Sequence, residues 1–84
     1  MPYIKQEGRD KLDHAIHVLS DKIEDAGELN YTITKLLHGQ LEKKGLNYAN
    51  CNALIGVLDC ASKEFYRKKV APYEDIKIKE NGDV

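Results

Sequence analysis

Three apolar stripes at helical spacing, each closed by a glycine or a proline, restrict this chain to an all-α fold. Leu12, Ala15, Ile16, Leu19 and Ile23 recur at i, i+3, i+4, i+7 and i+11, which is one face of a helix. The spacing predicts a first helix from about Arg9 to Ala26, with Gly27 at the C′ position, where a glycine takes positive φ without steric cost. Tyr31, Ile33, Leu36, Leu37 and Leu41 predict a second helix from about Asn30 to Lys44. Asn30 is its expected N-cap, Lys43 and Lys44 complement its negative end, and Gly45 stops it. Thr32 and Thr34 are poor helix formers and suggest a use for their hydroxyls. Leu54, Leu58, Ala61 and Phe65, broadened by Ile55, Val57 and Val70, predict a third helix from about residue 49 to Val70. Asn47 or Asn50 can cap it, and Pro72 is expected to end it. Gly56 in mid-helix costs about 1 kcal/mol relative to Ala, which a close helix–helix crossing would justify.

Beyond Pro72 the helical pattern stops. Ile76-Lys77-Ile78-Lys79 alternates for two repeats, a hint of extended chain. Asn81-Gly82 is a turn signal. The expected architecture is a single domain over residues 1–84: a compact three-helix unit with an extended tail over 73–84.

Length makes that unit marginal. A chain of 84 residues buries only roughly 60% of its unfolded surface, so its own core is small. Two cysteines supply no disulfide framework and no metal motif replaces one. Self-association is the remaining source of buried surface, so a homo-oligomer is expected. With 13 basic and 14 acidic residues, the chain lacks the cationic excess that duplex DNA binding requires. No apolar run approaches the roughly 18 residues of a membrane span, and the N-terminus lacks the pattern of a signal peptide. A cytoplasmic location with both cysteines as thiols is the expectation.

The motifs for catalysis are absent. There is no G-x-S-x-G, no phosphate-binding glycine loop and no C-x-x-C, and serine occurs only at Ser20 and Ser62. No cofactor is implied, and the chain is expected not to be an enzyme. His14 and His17 stand at i, i+3 near Asp10, Asp13 and Asp21, a spacing that suits two metal ligands. The signal is weak, because a zinc site normally needs a third and fourth ligand at matching positions, and a solvated polar face is the plainer reading. His38 has no evident partner. Cys51 and Cys60 are nine positions apart on one helix, on opposite sides and about 13 Å apart in rise, so they cannot bond to each other. Buried apolar packing is the expected role of both.

The binding candidates lie elsewhere. Asn30 and Tyr31 stand at a predicted helix N-terminus, where free N–H groups and a positive dipole attract phosphate or carboxylate. An ordinary cap plus a core tyrosine is the plainer alternative. Glu64, Tyr66, Arg67 and Lys68 occupy the end of the third helix. Arg67 can fork onto a phosphate, and Tyr66 or Tyr73 can stack on a base. Lys77 and Lys79 add charge from the tail. The alternative is that the cations offset the helix dipole and pair with Glu64, Glu74 or Asp75. That alternative leaves unexplained why tyrosine, rather than Leu or Phe, recurs at positions 48, 66 and 73.

Met1-Pro2-Tyr3-Ile4, Gly27-Glu28-Leu29-Asn30-Tyr31 and Phe65-Tyr66-Arg67…Ala71-Pro72-Tyr73-Glu74-Asp75…Lys77…Glu80-Asn81-Gly82-Asp83-Val84 resemble, in that order, a family of small proteins of no assigned activity associated with bacteriophage and prophage genomes. The resemblance spans nearly the whole chain and carries over no catalytic residue. It implies that the Asn30-Tyr31 and Arg67…Asn81 blocks are what such a chain is built around. His14 and His17 depart from the family pattern, which weakens the metal reading. A phage setting implies action by binding, as small helical oligomers that sequester nucleotide signals of bacterial immunity do, in the host bacterial cytoplasm.

The resulting expectation is a non-enzymatic binder of a small anionic, nucleotide-derived ligand. Arg67 and Lys77 would meet phosphates, Tyr66 or Tyr73 would stack on a base, and Asn30, Tyr31 and Asn52 would complete the site. The alternative is a protein-interaction module that inhibits or adapts a host or phage protein, with the polar aromatics as interface anchors.

Overall fold

The computed structural model describes residues 2–84; Met1, the first residue of the N-terminal motif, lies outside them. The fold is all-α. Its elements are α1 (Gln6–Lys22), α2 (Ala26–Lys44), α3 (Tyr48–Phe65), a single π-helical turn (Tyr66–Val70) and α4 (Ala71–Asn81). The chain divides into two units, Tyr3–Leu54 and Ile55–Val84, with Pro2 belonging to the second.

In the first unit, side-chain caps decide the boundaries. Asp25 is extended and its Oδ1 accepts a hydrogen bond from the Glu28 backbone N–H at 2.8 Å. Glu28 Oε1 in turn accepts from the Glu24 N–H at 2.8 Å. This reciprocal arrangement is close to a capping box. It corrects three expectations. α1 ends at Lys22, before Ala26; Gly27 lies in the first turn of α2; and Asn30 is inside α2, not its N-cap. Gly45 stops α2 as expected, at φ 99°, with its N–H donating to the Leu41 carbonyl at 2.7 Å. Asn47 caps α3, its Oδ1 accepting from the Asn50 N–H at 2.8 Å. Asn50 Nδ2 donates to the carbonyls of Gly45 at 2.8 Å and Lys44 at 3.1 Å, which ties the α2–α3 turn. The Thr32 and Thr34 hydroxyls bond back to the Glu28 and Asn30 carbonyls at 2.8 Å, a local use that lets both sit within a helix.

In the second unit, Pro72 does not end the helix. In a regular α-helix its ring would strike the carbonyl of residue 68. The preceding turn widens instead: the Ala71 N–H reaches back to the Tyr66 carbonyl, a five-residue step. Pro72 then stands within the first positions of α4, where a missing N–H is tolerated. The expected extended tail is therefore corrected to a helix through Asn81. Ile76-Lys77-Ile78-Lys79 is helical, and Asn81-Gly82 is a helix end with Gly82 at φ 88°.

The compact three-helix core is also corrected. Among the described residues none is buried. α1 and α2 do not pack on each other, and Ile16 and Leu36 of their stripes are 57% and 56% exposed. Ile23, Leu37, Leu41, Leu54 and Leu58 are half-buried. Cys51 is half-buried and Cys60 exposed, so buried packing is not their state in one chain. A Cβ added at Gly56 would meet nothing within 4 Å.

Candidate functional site

The continuous segment from the end of α3 through α4 carries four of the expected site residues: Tyr66, Arg67, Tyr73 and Lys77. The wide π turn sets their register. Tyr66 donates its hydroxyl to Glu74 Oε1, eight residues on, in a short hydrogen bond. That bond, and the adjacent Glu74 charge, raise the Tyr66 phenol above its ordinary pKa, because losing the proton would leave two anions in contact. Lys77 Nζ lies 5.5 Å from the Tyr73 ring centroid, a cation–π contact. It also donates to Glu80 Oε2 at 3.1 Å. Arg67 Nη2 donates to Glu64 Oε1 at 2.6 Å, while its Nε makes a longer contact of 3.4 Å to Oε2.

Tyr66, Glu74, Asp75, Lys77 and the C-terminal residues 81–84 line an open groove of about 520 Å³. Glu74, Asp75 and Asp83 are three carboxylates on its wall against the single cation of Lys77. An anion in this groove of one chain meets net negative charge. Both expected phosphate ligands, Arg67 and Lys77, already hold carboxylates.

Asn30, Tyr31 and Asn52 belong to the Tyr3–Leu54 unit. Asn30 is turned to its own helix, its Oδ1 accepting from the Thr34 hydroxyl at 3.2 Å. Tyr31 is 67% exposed and lines a groove of about 350 Å³ with Leu19, Ile23 and Glu28. Asn52 is exposed on α3. Neither asparagine stands at a helix N-terminus with free N–H groups, so the anion site expected at Asn30-Tyr31 loses its dipole argument. His17 Nε2 lies 3.4 Å from Asp21 in an exposed pair. No group of three or more His, Cys, Asp or Glu forms a metal-binding cluster among the described residues. No described helix is long and apolar enough to cross a membrane.

A sequence-family model covers residues 1–84 of the chain. The chain belongs to the family described as Domain of unknown function (DUF6899). The match takes in both units and the whole Tyr66–Lys77 segment, so the π turn and α4 lie within the family's extent. No curated protein and no solved structure matches the chain.

Sequence reasoning missed Glu74 as the partner that fixes Tyr66. Eight residues is not a helical contact spacing, and only the widened turn brings the two together. It also missed Asp25 and Glu28 as a cap. There the signal was present, since Asp25-Ala26-Gly27-Glu28 has the spacing of a capping box.

Proposed function

We propose that the protein is a non-enzymatic helical interaction module that works as a homo-oligomer. The observation that carries this reading is the absence of any buried residue among those described, beside large exposed apolar side chains at helical spacing on every helix. Helices of this length gain most of their stability from packing an amphipathic face, and among the described residues no side chain of such a face is fully buried. Contiguous apolar surface of this kind marks protein interaction sites. The polar aromatics Tyr31, Tyr66 and Tyr73 are 51–67% exposed and serve as anchors for a host or phage protein. The phage setting rests on the sequence resemblance, and with it the host bacterial cytoplasm as the place of action.

Sedimentation of the purified full chain over a wide concentration range tests this. The expected result is an oligomer whose melting temperature rises with concentration. A monomer with a cooperative, concentration-independent melt would overturn it.

A second reading is sequestration of a nucleotide-derived immune signal. One observation favours it: Tyr73 and Lys77 form a cation–aromatic pair beside the Tyr66-Arg67 step. Binding would require Glu64 and Glu80 to release Arg67 and Lys77, an exchange of one carboxylate partner for a phosphate. Native mass spectrometry of the purified protein, followed by denaturation, decides it. A nucleotide-sized mass released intact supports sequestration, and bare protein supports the interaction module.

A further inference from the structure

We infer that the open groove beside α4 docks a basic segment, bearing lysine or arginine, of a partner protein. The inference rests on the interaction-module reading above and names the chemistry of the partner. The groove lies wholly within the Ile55–Val84 unit.

Helical spacing builds the groove. Ala71, Glu74, Asp75 and Ile78 stand at i, i+3, i+4 and i+7, so they share one face of α4. All four line the groove, and Asp83 lines it from beyond the helix end. Ala71 and Ile78 give it an apolar strip, with Ile78 40% exposed. Beside that strip lie the carboxylates of Glu74, Asp75 and Asp83. None of the three takes part in an ion pair among the described residues. Glu74 accepts from the Tyr66 hydroxyl and Asp83 from the Val84 N–H at 2.7 Å. A carboxylate offers about four acceptor positions, so both keep capacity for a cationic donor.

The groove's own cation does not neutralise them. Lys77 Nζ donates to Glu80 at 3.1 Å and lies 5.5 Å from the Tyr73 ring centroid, and neither Glu80 nor Tyr73 lines the groove. What complements such a surface is a positive charge on an aliphatic stem. Lysine and arginine lay their methylene stems along apolar surface while the charged head stays in water, here beside Asp75 and Asp83. A bare metal ion would gain nothing from Ala71 and Ile78. At about 520 Å³ the groove has room for more than one such side chain, so a segment of chain is the fitting occupant. The protein's own basic run at 63–69 fits less well. Lys63 already pairs with Asp59 at 2.9 Å and Arg67 with Glu64 at 2.6 Å. A segment from a different protein brings its cations unpaired, and charge complementarity of this kind selects partners.

The test is fluorescence anisotropy with a labelled, end-blocked peptide that alternates leucine with lysine, set beside its leucine–glutamate counterpart. The full chain is expected to bind the lysine peptide saturably, less tightly as salt rises, and to ignore the glutamate peptide. D75N/D83N is expected to bind about tenfold more weakly. Asp75 and Asp83 are both exposed, so this near-isosteric change should leave the helices intact, which circular dichroism checks. D10N/D13N makes the same charge change on α1 and is expected to bind as the parent does. Equal losses in the two variants overturn the groove, because the charge of the whole chain then governs binding. Displacement of the peptide by an equal concentration of spermidine overturns the protein segment in favour of a free cation. No binding by a parent that still sediments as an oligomer overturns the groove and leaves the interaction module standing. If D75N/D83N also loses that self-association, the groove belongs to a second copy. A monomer that binds the lysine peptide, with the loss confined to D75N/D83N, keeps the groove and overturns only the homo-oligomer.

Discussion

The two units of the chain are held in order by different kinds of interaction. In Tyr3–Leu54 the helix ends are set by short-range side-chain caps: Asp25 on the Glu28 N–H, Asn47 on the Asn50 N–H and Gly45 at positive φ. In Ile55–Val84 the register is set by avoiding a clash. Pro72 is accommodated by a widened turn, and that turn brings Tyr66 to Glu74. The first mechanism leaves local residue patterns that can be read along the chain. The second joins residues at a spacing no regular helix would bring into contact.

Substitutions that strike each mechanism separate the two units. The largest effect is expected from Ile16→Asp, which places a charge in the centre of the α1 stripe. If that stripe is covered in the assembly, the change removes about 3 kcal/mol or more and dissociates it. Sedimentation and thermal melts read this directly, and an unaltered oligomer would show that α1 stays in solvent. Gly45→Ala comes next. At φ 99° a Cβ is strained, and a loss of about 1–2 kcal/mol in denaturant unfolding is expected.

Asp25→Ala should follow at about 1 kcal/mol, the usual worth of an N-cap, with frayed exchange protection in the first turn of α2. In the second unit Glu74→Gln should have a small effect near neutral pH and a clear signature in alkali. The folded Tyr66 phenol lies above its unfolded pKa. Its contact with Glu74 therefore contributes fully below the ordinary phenol range and is lost as pH rises through the folded value. Absorbance titration of the parent should show one tyrosine ionising late, and in E74Q that tyrosine should move down toward the others. An identical titration in both proteins would mean that the Tyr66–Glu74 bond does not persist in solution.

Much of the fold was legible because helix formation is local. The stripes of α1, α2 and α3, the stop at Gly45 and the cap at Asn47 follow from residues within a few positions of each other. The α1–α2 boundary was misplaced because Gly27 and Asn30 were weighed ahead of Asp25 and Glu28, although a capping pair outweighs a lone glycine. Of the candidate site, Arg67 with Glu64 was foreseeable as an i,i+3 pair, and so was Lys77 with Glu80. Tyr66 with Glu74 was not, because its spacing exists only once the turn is widened.

By itself, then, the sequence determined that this protein is helical, where most of its helices run and that a chain of 84 residues has only a small core to bury. These are properties of periodicity, capping and the ratio of surface to volume. The structure decided that the chain continues as helix through Pro72 and that Glu74 holds Tyr66. It also showed that none of the described residues is fully buried. Those outcomes depend on steric clash and on where surfaces meet in space, neither of which is written in any local run of residues.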